Sequence, residues 1–250
     1  MDDVTLTTLA ERPEFADGLW EMPDSWPVFM HHDLVANGFM GEVAEAFPEF
    51  VLVATDATGA LVGRGHSIPF RMDQPKRTAG LPDRGWDEVL LWAFADHRRG
   101  DVPDTVTALE IAVRPDLQGN GLSARLVAAM RDNARAHGFA ELVAPVRPSG
   151  KHREPATPMS EYAFRTRPED GLPVDPWLRV HVRAGAVVER VAPASMAIAG
   201  SLAEWRAWTG LPFDASGEVL VPGALTPVRV DVAHDQAVYV EPNVWVRHRL

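Results

Sequence analysis

One stretch constrains this chain more than any other. The strongly apolar run Leu109-Glu110-Ile111-Ala112-Val113 is followed by Arg114-Pro115-Asp116-Leu117, and then Gln118-Gly119-Asn120-Gly121-Leu122-Ser123 opens a helical pattern. Apolar residues at 122, 126, 127 and 130 keep a helical period, and Gly138 stands where a C-terminal cap belongs. A strand entering a helix through a glycine-rich turn predicts a mixed α/β layer. It also sets the unpaired amides and partial positive charge of a helix start at one end of the sheet. Glycines 119 and 121 remove the Cβ atoms that would hold an anion away from those amides. Each hydrogen bond to a charged group contributes about 1.5–3 kcal/mol, so several amides can hold a pyrophosphate without a lysine.

Two other phosphate-binding patterns compete for this loop. No Gly-Lys-Ser/Thr follows, which excludes a P-loop. Gly119 to Ala124 formally reads G-x-G-x-x-A, as in dinucleotide folds, but there the first glycine follows its strand almost at once. Here five residues, one of them Pro115, separate Val113 from Gly119. The acid expected about 20 residues on should also end the next strand; Glu141 begins one.

The flanking pattern is mixed α/β. Residues 4–9 read as a strand, 33–47 as a helix, and 50–55 with 60–68 as a hairpin about the turn Asp56-Ala57-Thr58-Gly59. Trp86 to His97 reads as a helix after a Pro/Gly-rich passage at 69–85, and Glu141 to Val146 as a strand. Residues 147–174 look loop-like, 175–184 as a short helix ended by Gly185, and 186–191 as a strand. The tail offers a helix near 201–208 and strands at 218–221, 227–232 and 238–246. The boundaries expected are a single domain over 1–250, with a core at about 4–192, an insertion at about 69–104 and a C-terminal extension at about 193–250.

Composition removes several classes of function. Without cysteine there is no disulfide, zinc-thiolate site or cysteine nucleophile, which fits a cytoplasmic protein. No stretch approaches the roughly 18 apolar residues of a membrane span, and the acidic start Met1-Asp2-Asp3 is unlike a secretory leader. The net charge of −11 argues against nucleic acid and anionic lipid as partners. His31 and His32 are adjacent and point apart, so no metal site is expected.

Val113-Arg114-Pro115 and Gln118 to Ser123 resemble motif A of the GCN5-related N-acetyltransferase (GNAT) superfamily, Gln/Arg-x-x-Gly-x-Gly/Ala after a strand ending Val-x-Pro; only Ser123 departs from it. The resemblance covers about 45–190. It implies the GNAT fold, a mixed α/β sheet splayed after the motif A strand to admit a thioester, and Pro145 in the following strand agrees. It further implies an acetyl-CoA or other acyl-CoA co-substrate. The amides of Gln118, Gly119, Asn120, Gly121, Leu122 and Ser123 would hold its pyrophosphate, and the backbone of Ile111, Ala112 and Val113 would hold its pantetheine arm.

Acyl transfer to an amine needs an oxyanion donor, an acid for the leaving thiol and a base for the ammonium. By the resemblance, the Ile111 amide is the oxyanion donor. His181, in Val180-His181-Val182-Arg183-Ala184-Gly185-Ala186, stands where the family's acidic Tyr would be, with Tyr162 as the other candidate acid. Glu110, a lone carboxylate in an apolar strand, is the candidate base if burial raises its pKa; the alternative is an ion pair with a nearby arginine. Arg147, Lys151 and Arg153 could meet a CoA phosphate or form a solvated charge run.

The expected activity is direct N-acylation of a small-molecule amine. The alternatives are a carrier-protein or aminoacyl-tRNA donor on the same fold, or a non-catalytic binding module whose 86–97 helix and tail after 200 fill the acceptor groove or build a homodimer.

Overall fold

The computed structural model describes residues 4–250, so the acidic start at 1–3 lies outside the described residues. Its strands are β1 (Thr5–Thr8), β2 (Val51–Thr55), β3 (Leu61–Phe70), β4 (Thr105–Val113), β5 (Glu141–Val146), β6 (Ala186–Gly200), β7 (Gly217–Val219), β8 (Val228–Asp231) and β9 (Gln236–Arg249). Its helices are α1 (Leu34–Ala46), α2 (Gly85–Arg99), α3 (Leu122–Ala136), α4 (Met159–Tyr162), α5 (Pro176–Arg183) and α6 (Leu202–Thr209). One sheet runs β1-β2-β3-β4-β5-β9-β8-β7, with β6 on the other side of β9.

Local chemistry sets the helix ends. Asp33 caps α1 through Oδ1 on the Ala36 amide, Asp175 caps α5, and Ser201 with Glu204 forms a reciprocal box on α6. The amphipathic face of α3 buries Leu122, Leu126, Val127 and Met130.

All neighbouring strands are antiparallel except β4 and β5. That parallel pair is registered only at Val106–Leu142 and Thr107–Val143, and beyond it the two strands part. Pro145 lies past the last β4 contact while still in register with Trp245 of β9. The mixed, splayed sheet is the one expected.

Two assignments change. The strand expected at 186–191 continues to Gly200, and the last apolar run is not an appendage. Strand β9 lies between β5 and β6, so residues expected in a C-terminal extension form an interior strand of the sheet. Pro193 and Pro242 hid this, because each lacks a ladder donor. The β6–β9 register passes from Ala192–Asn243 directly to Met196–Glu241, and residues 193–195 bulge out opposite Pro242.

That bulge is anchored. Ser195 Oγ donates to Asn243 Oδ1 at 2.6 Å and accepts from the Trp86 amide at 2.8 Å. Gly85 has φ +34°, and a Cβ there would stand 2.2 Å from Ser195 Oγ. Gly85→Ala is therefore expected to lower the unfolding free energy by about 2 kcal/mol, from strain at a positive φ together with the clash. A urea titration reads this, and an unchanged midpoint would mean the contact is not made.

Candidate active site

The parting of β4 from β5 opens a cleft of about 1150 Å³. One wall is β4 from Ala108 to Val113, the other is Ala144 to Arg147, and the start of α3 lies at one end. Leu109 is the unpaired residue of a bulge in β4: Ala108 faces Ser67 and Glu110 faces His66 on β3. Its carbonyl accepts from Trp86 Nε1 at 2.9 Å, which ties the bulge to α2.

The glycine loop has the geometry that an anion needs. Gly119 and Gly121 lie at φ +78° and +83°, a region that disfavours other residues, and a Cβ built on either meets no protein atom within 4 Å. No side chain caps the first turn of α3. The open space and free helix start fit a pyrophosphate. Ile111, Ala112, Val113, Gln118, Gly119, Leu122 and Ser123 line the cleft. Gly121, the cap of α3, and Asn120, bonded to the Leu117 carbonyl, are not on its wall. Gln118 Nε2 donates to the Val113 carbonyl and to Ser25 Oγ, so it shapes the loop with its side chain.

Glu110 lines the cleft within a dense polar cluster. Arg64 grips it with Nε on Oε2 and Nη2 on Oε1, each at 3.0 Å, and His66 Nδ1 lies 3.0 Å from Oε2. Trp26 Nε1 donates to Oε1 at 3.1 Å. Burial pushes this carboxyl up, but the hydrogen bonds and charges of His66 and Arg64 outweigh it and hold it down at about 2. The expected upward shift is reversed, and the ion pair with a nearby arginine is what forms. Arg64 also donates to the Leu19 and Met22 carbonyls and to Asp24 Oδ2, strapping the segment with Trp20, Asp24 and Trp26 across the cleft. Arg64 and His66 were missed from sequence, although Gly63-Arg64-Gly65-His66 puts two cationic-type side chains on one face of an otherwise apolar strand.

His181 also lines the cleft, with Nδ1 3.0 Å from Nε2 of His248. Burial, then the neighbouring His248, pushes its pKa down to about 3, so it is neutral at neutral pH rather than titrating there. Tyr162 is not on the cleft wall. Its hydroxyl donates to Asp175 Oδ2 at 3.0 Å, and burial and the Asp175 charge raise its pKa, so it braces the cap of α5. Arg147 and Lys151 are internally matched: Arg147 pairs with buried Glu241 at 2.9 Å, and Lys151 Nζ donates to the Glu154 and Leu225 carbonyls. His32 stacks on Trp208, and among the described residues no metal-binding cluster exists. No helix among them is long and apolar enough to cross a membrane.

No family model matches the chain. Arginine N-acetyltransferase avaD of Aspergillus versicolor is 31% identical over 274 residues, covering 98% of this chain and 93% of its own length. The chain belongs to the GNAT superfamily. Two solved structures share the fold at low identity. The loading GNATL domain of CurA from Lyngbya majuscula has a TM-score of 0.61 at 19% identity, covering 98% of this chain and 97% of its own. The GphF GNAT-like decarboxylase in complex with isobutyryl-CoA has a TM-score of 0.58 at 17% identity, covering 98% of each chain. The protein is an acyl-CoA-dependent N-acyltransferase acting on an amine.

Two measurements check the site. Gly119→Val forces a branched side chain into a left-handed conformation, costing about 1–3 kcal/mol, and puts carbon into the open space at the cleft wall. Acetyl-CoA affinity by calorimetry is expected to fall at least about tenfold.

Glu110→Gln removes one partner of a buried ion pair and is expected to cost about 3 kcal/mol at pH 7. Because the folded pKa lies below the ordinary 4.5, the wild-type contribution is full above that value and is lost as pH falls toward 2. Urea midpoints of the variant should therefore fall less steeply than wild type over that window.

Proposed function

We propose that this GNAT enzyme transfers the acetyl group of acetyl-CoA to a small guanidinium-bearing amine of the arginine class. The observation that carries the reading is the charge arrangement of a single cleft. The unfilled glycine loop and helix start lie at one end and suit an anionic donor head. The three wall carboxylates Asp24, Glu110 and Glu241 outnumber the two lining arginines they pair with, Arg64 and Arg147, and leave the wall acidic toward a cationic acceptor. The avaD name supports the same acceptor class.

In the proposed reaction the neutral amine nitrogen attacks the thioester carbonyl carbon, the C–N bond forms and the C–S bond breaks. The proton lost by nitrogen ends on the CoA sulfur. The Ile111 amide is the proposed donor to the carbonyl oxygen, on the strand segment next to the Leu109 bulge. Glu110, held at about 2, is too weak a base to deprotonate an ammonium, and its proposed part is to hold Arg64 and Trp26 in place. His181, neutral, would donate an N–H hydrogen bond to the departing sulfur while Nδ1 accepts from His248 Nε2. Gln118 to Ser123 would hold the pyrophosphate, and the backbone of Ile111 to Val113 the pantetheine arm.

Incubation with acetyl-CoA and arginine or agmatine, followed by mass spectrometry, is expected to give a singly acetylated product and free CoA thiol. With no strong base in the cleft, kcat/KM should rise about tenfold per pH unit until the acceptor amine is deprotonated. His181→Ala is expected to lower kcat about tenfold with little change in the KM of acetyl-CoA. Absence of acetylated product with either acceptor, from folded protein that binds acetyl-CoA, would refute the acceptor assignment.

A further inference from the structure

Arg147 and Glu241 match one to one on the cleft wall, so its surplus of negative charge sits at the other arginine. Arg64 faces both Glu110 and Asp24. Its guanidinium is fully spent there: Nε and Nη2 donate to Glu110, Nη2 also to Asp24 Oδ2, and Nη1 to the Leu19 and Met22 carbonyls.

The two carboxylates are not equally satisfied. Each oxygen of an ionised carboxyl can accept about two hydrogen bonds. On Glu110, Oε1 meets Trp26 Nε1 and Arg64 Nη2, while Oε2 meets Arg64 Nε and His66 Nδ1, so both are full. On Asp24, Oδ2 meets Arg64 Nη2 and Oδ1 meets the Trp26 amide, one partner each among the described residues. His31 is exposed, and its Nε2 stands 4.0 Å from Oδ1, outside hydrogen-bond range. The unused accepting capacity of the cluster is therefore on Asp24, whose side chain is 17% exposed and lines the cleft.

Trp20 stands on the same segment. Its ring stacks on His66, with centroids 5.2 Å apart and planes 12° from parallel, and Arg64 Cζ lies 5.3 Å from the ring centre. Trp20 nevertheless stays 46% exposed and lines the same cleft. An open indole surface beside a carboxylate with spare acceptors suits a flat cation, which can lie on the ring and turn its N–H edge to the oxygens. Pro23 and Pro27 bracket the segment and Arg64 ties it to β3, so carboxylate and ring hold their places before any ligand arrives.

We propose that Asp24 and Trp20 form the subsite for the acceptor's guanidinium, which lies on the open side of the indole and donates to the Asp24 carboxylate. The assignment rests on the guanidinium-acceptor reading above and adds the residues that read the charge. It also decides which nitrogen reacts. A guanidinium held on a carboxylate keeps its proton and offers no lone pair for attack, so the acetyl group goes to the amine at the other end of the acceptor.

The test is calorimetry on the CoA-saturated protein with arginine and with citrulline, its uncharged isostere, beside mass-spectrometric fragmentation of the acetylated product. Wild type is expected to bind arginine at least about tenfold more tightly than citrulline, and to carry the acetyl group to the α-amine. Asp24→Asn keeps the size of the side chain and one accepting oxygen. It should raise the Kd of arginine at least about tenfold while leaving those of citrulline and CoA unchanged. Trp20→Leu, at an exposed position, is the second variant and should raise the Kd of arginine about threefold or more, so the test does not depend on one substitution folding.

A segment with a merely structural role would weaken citrulline as much as arginine in Asp24→Asn. That result, wild-type arginine affinity in either folded variant, or an acetyl group on a guanidino nitrogen would overturn this subsite and leave the acceptor class standing. If wild type bound neither arginine nor agmatine but acetylated another amine, the guanidinium-acceptor reading would fall, and this assignment with it.

Discussion

The arrangement depends on where β4 stops pairing with β5. Two cross-strand pairs, Val106–Leu142 and Thr107–Val143, hold the strands together, and then they diverge. A parallel pair that opens leaves backbone donors and acceptors facing a cavity, and such groups are costly to bury unless something bonds them. Each strand therefore keeps its other partner: β4 stays paired to β3, and β5 to β9. The cleft is held open by neighbours on both flanks, and the edges facing it are free to pair with an extended substrate arm.

Other features serve that opening. The bulge at Leu109 is braced by Trp86, whose own amide is held by Ser195 and, through it, by Asn243. The helix α2, read from sequence as an insertion, is thus tied to both β4 and the β6–β9 irregularity. Arg64 performs the complementary task on the other face, gathering Glu110, Asp24 and two backbone carbonyls into one cluster. Rigid walls with placed polar groups are what acyl transfer requires, because orientation and a preset oxyanion donor supply much of the rate.

The glycine loop and the opening beside it were legible in the sequence because their signals are local. The spacing from Val113 to Gly119, the glycines at 119 and 121, the period of α3 and Pro145 all lie within 34 consecutive residues, 113 to 146. The rest of the cleft was not legible, because its residues come together only through long-range pairing. Trp26, Arg64, Met196 and Glu241 line it from four separate stretches of the chain. Interior strand β9 was read as a tail because Glu241, Pro242 and Asn243 interrupt its apolar pattern, and the partners of Glu241 and Asn243 lie far away in sequence. The upward shift expected of Glu110 is reversed for a related reason: Arg64 and His66, which hold it down against its burial, come from another strand, whereas His181 is lowered chiefly by burial itself.

The central claim is that the glycine loop and the free edge of β4 grip the acyl-CoA. Amide chemical shifts of the labelled protein, followed through a titration with CoA, test it most directly. Gly119, Gly121, Leu122 and Ser123, together with Ile111 to Val113, are predicted to show the largest shifts, saturating together at one affinity. Saturable CoA binding that left those amides unmoved and perturbed another surface would contradict the account.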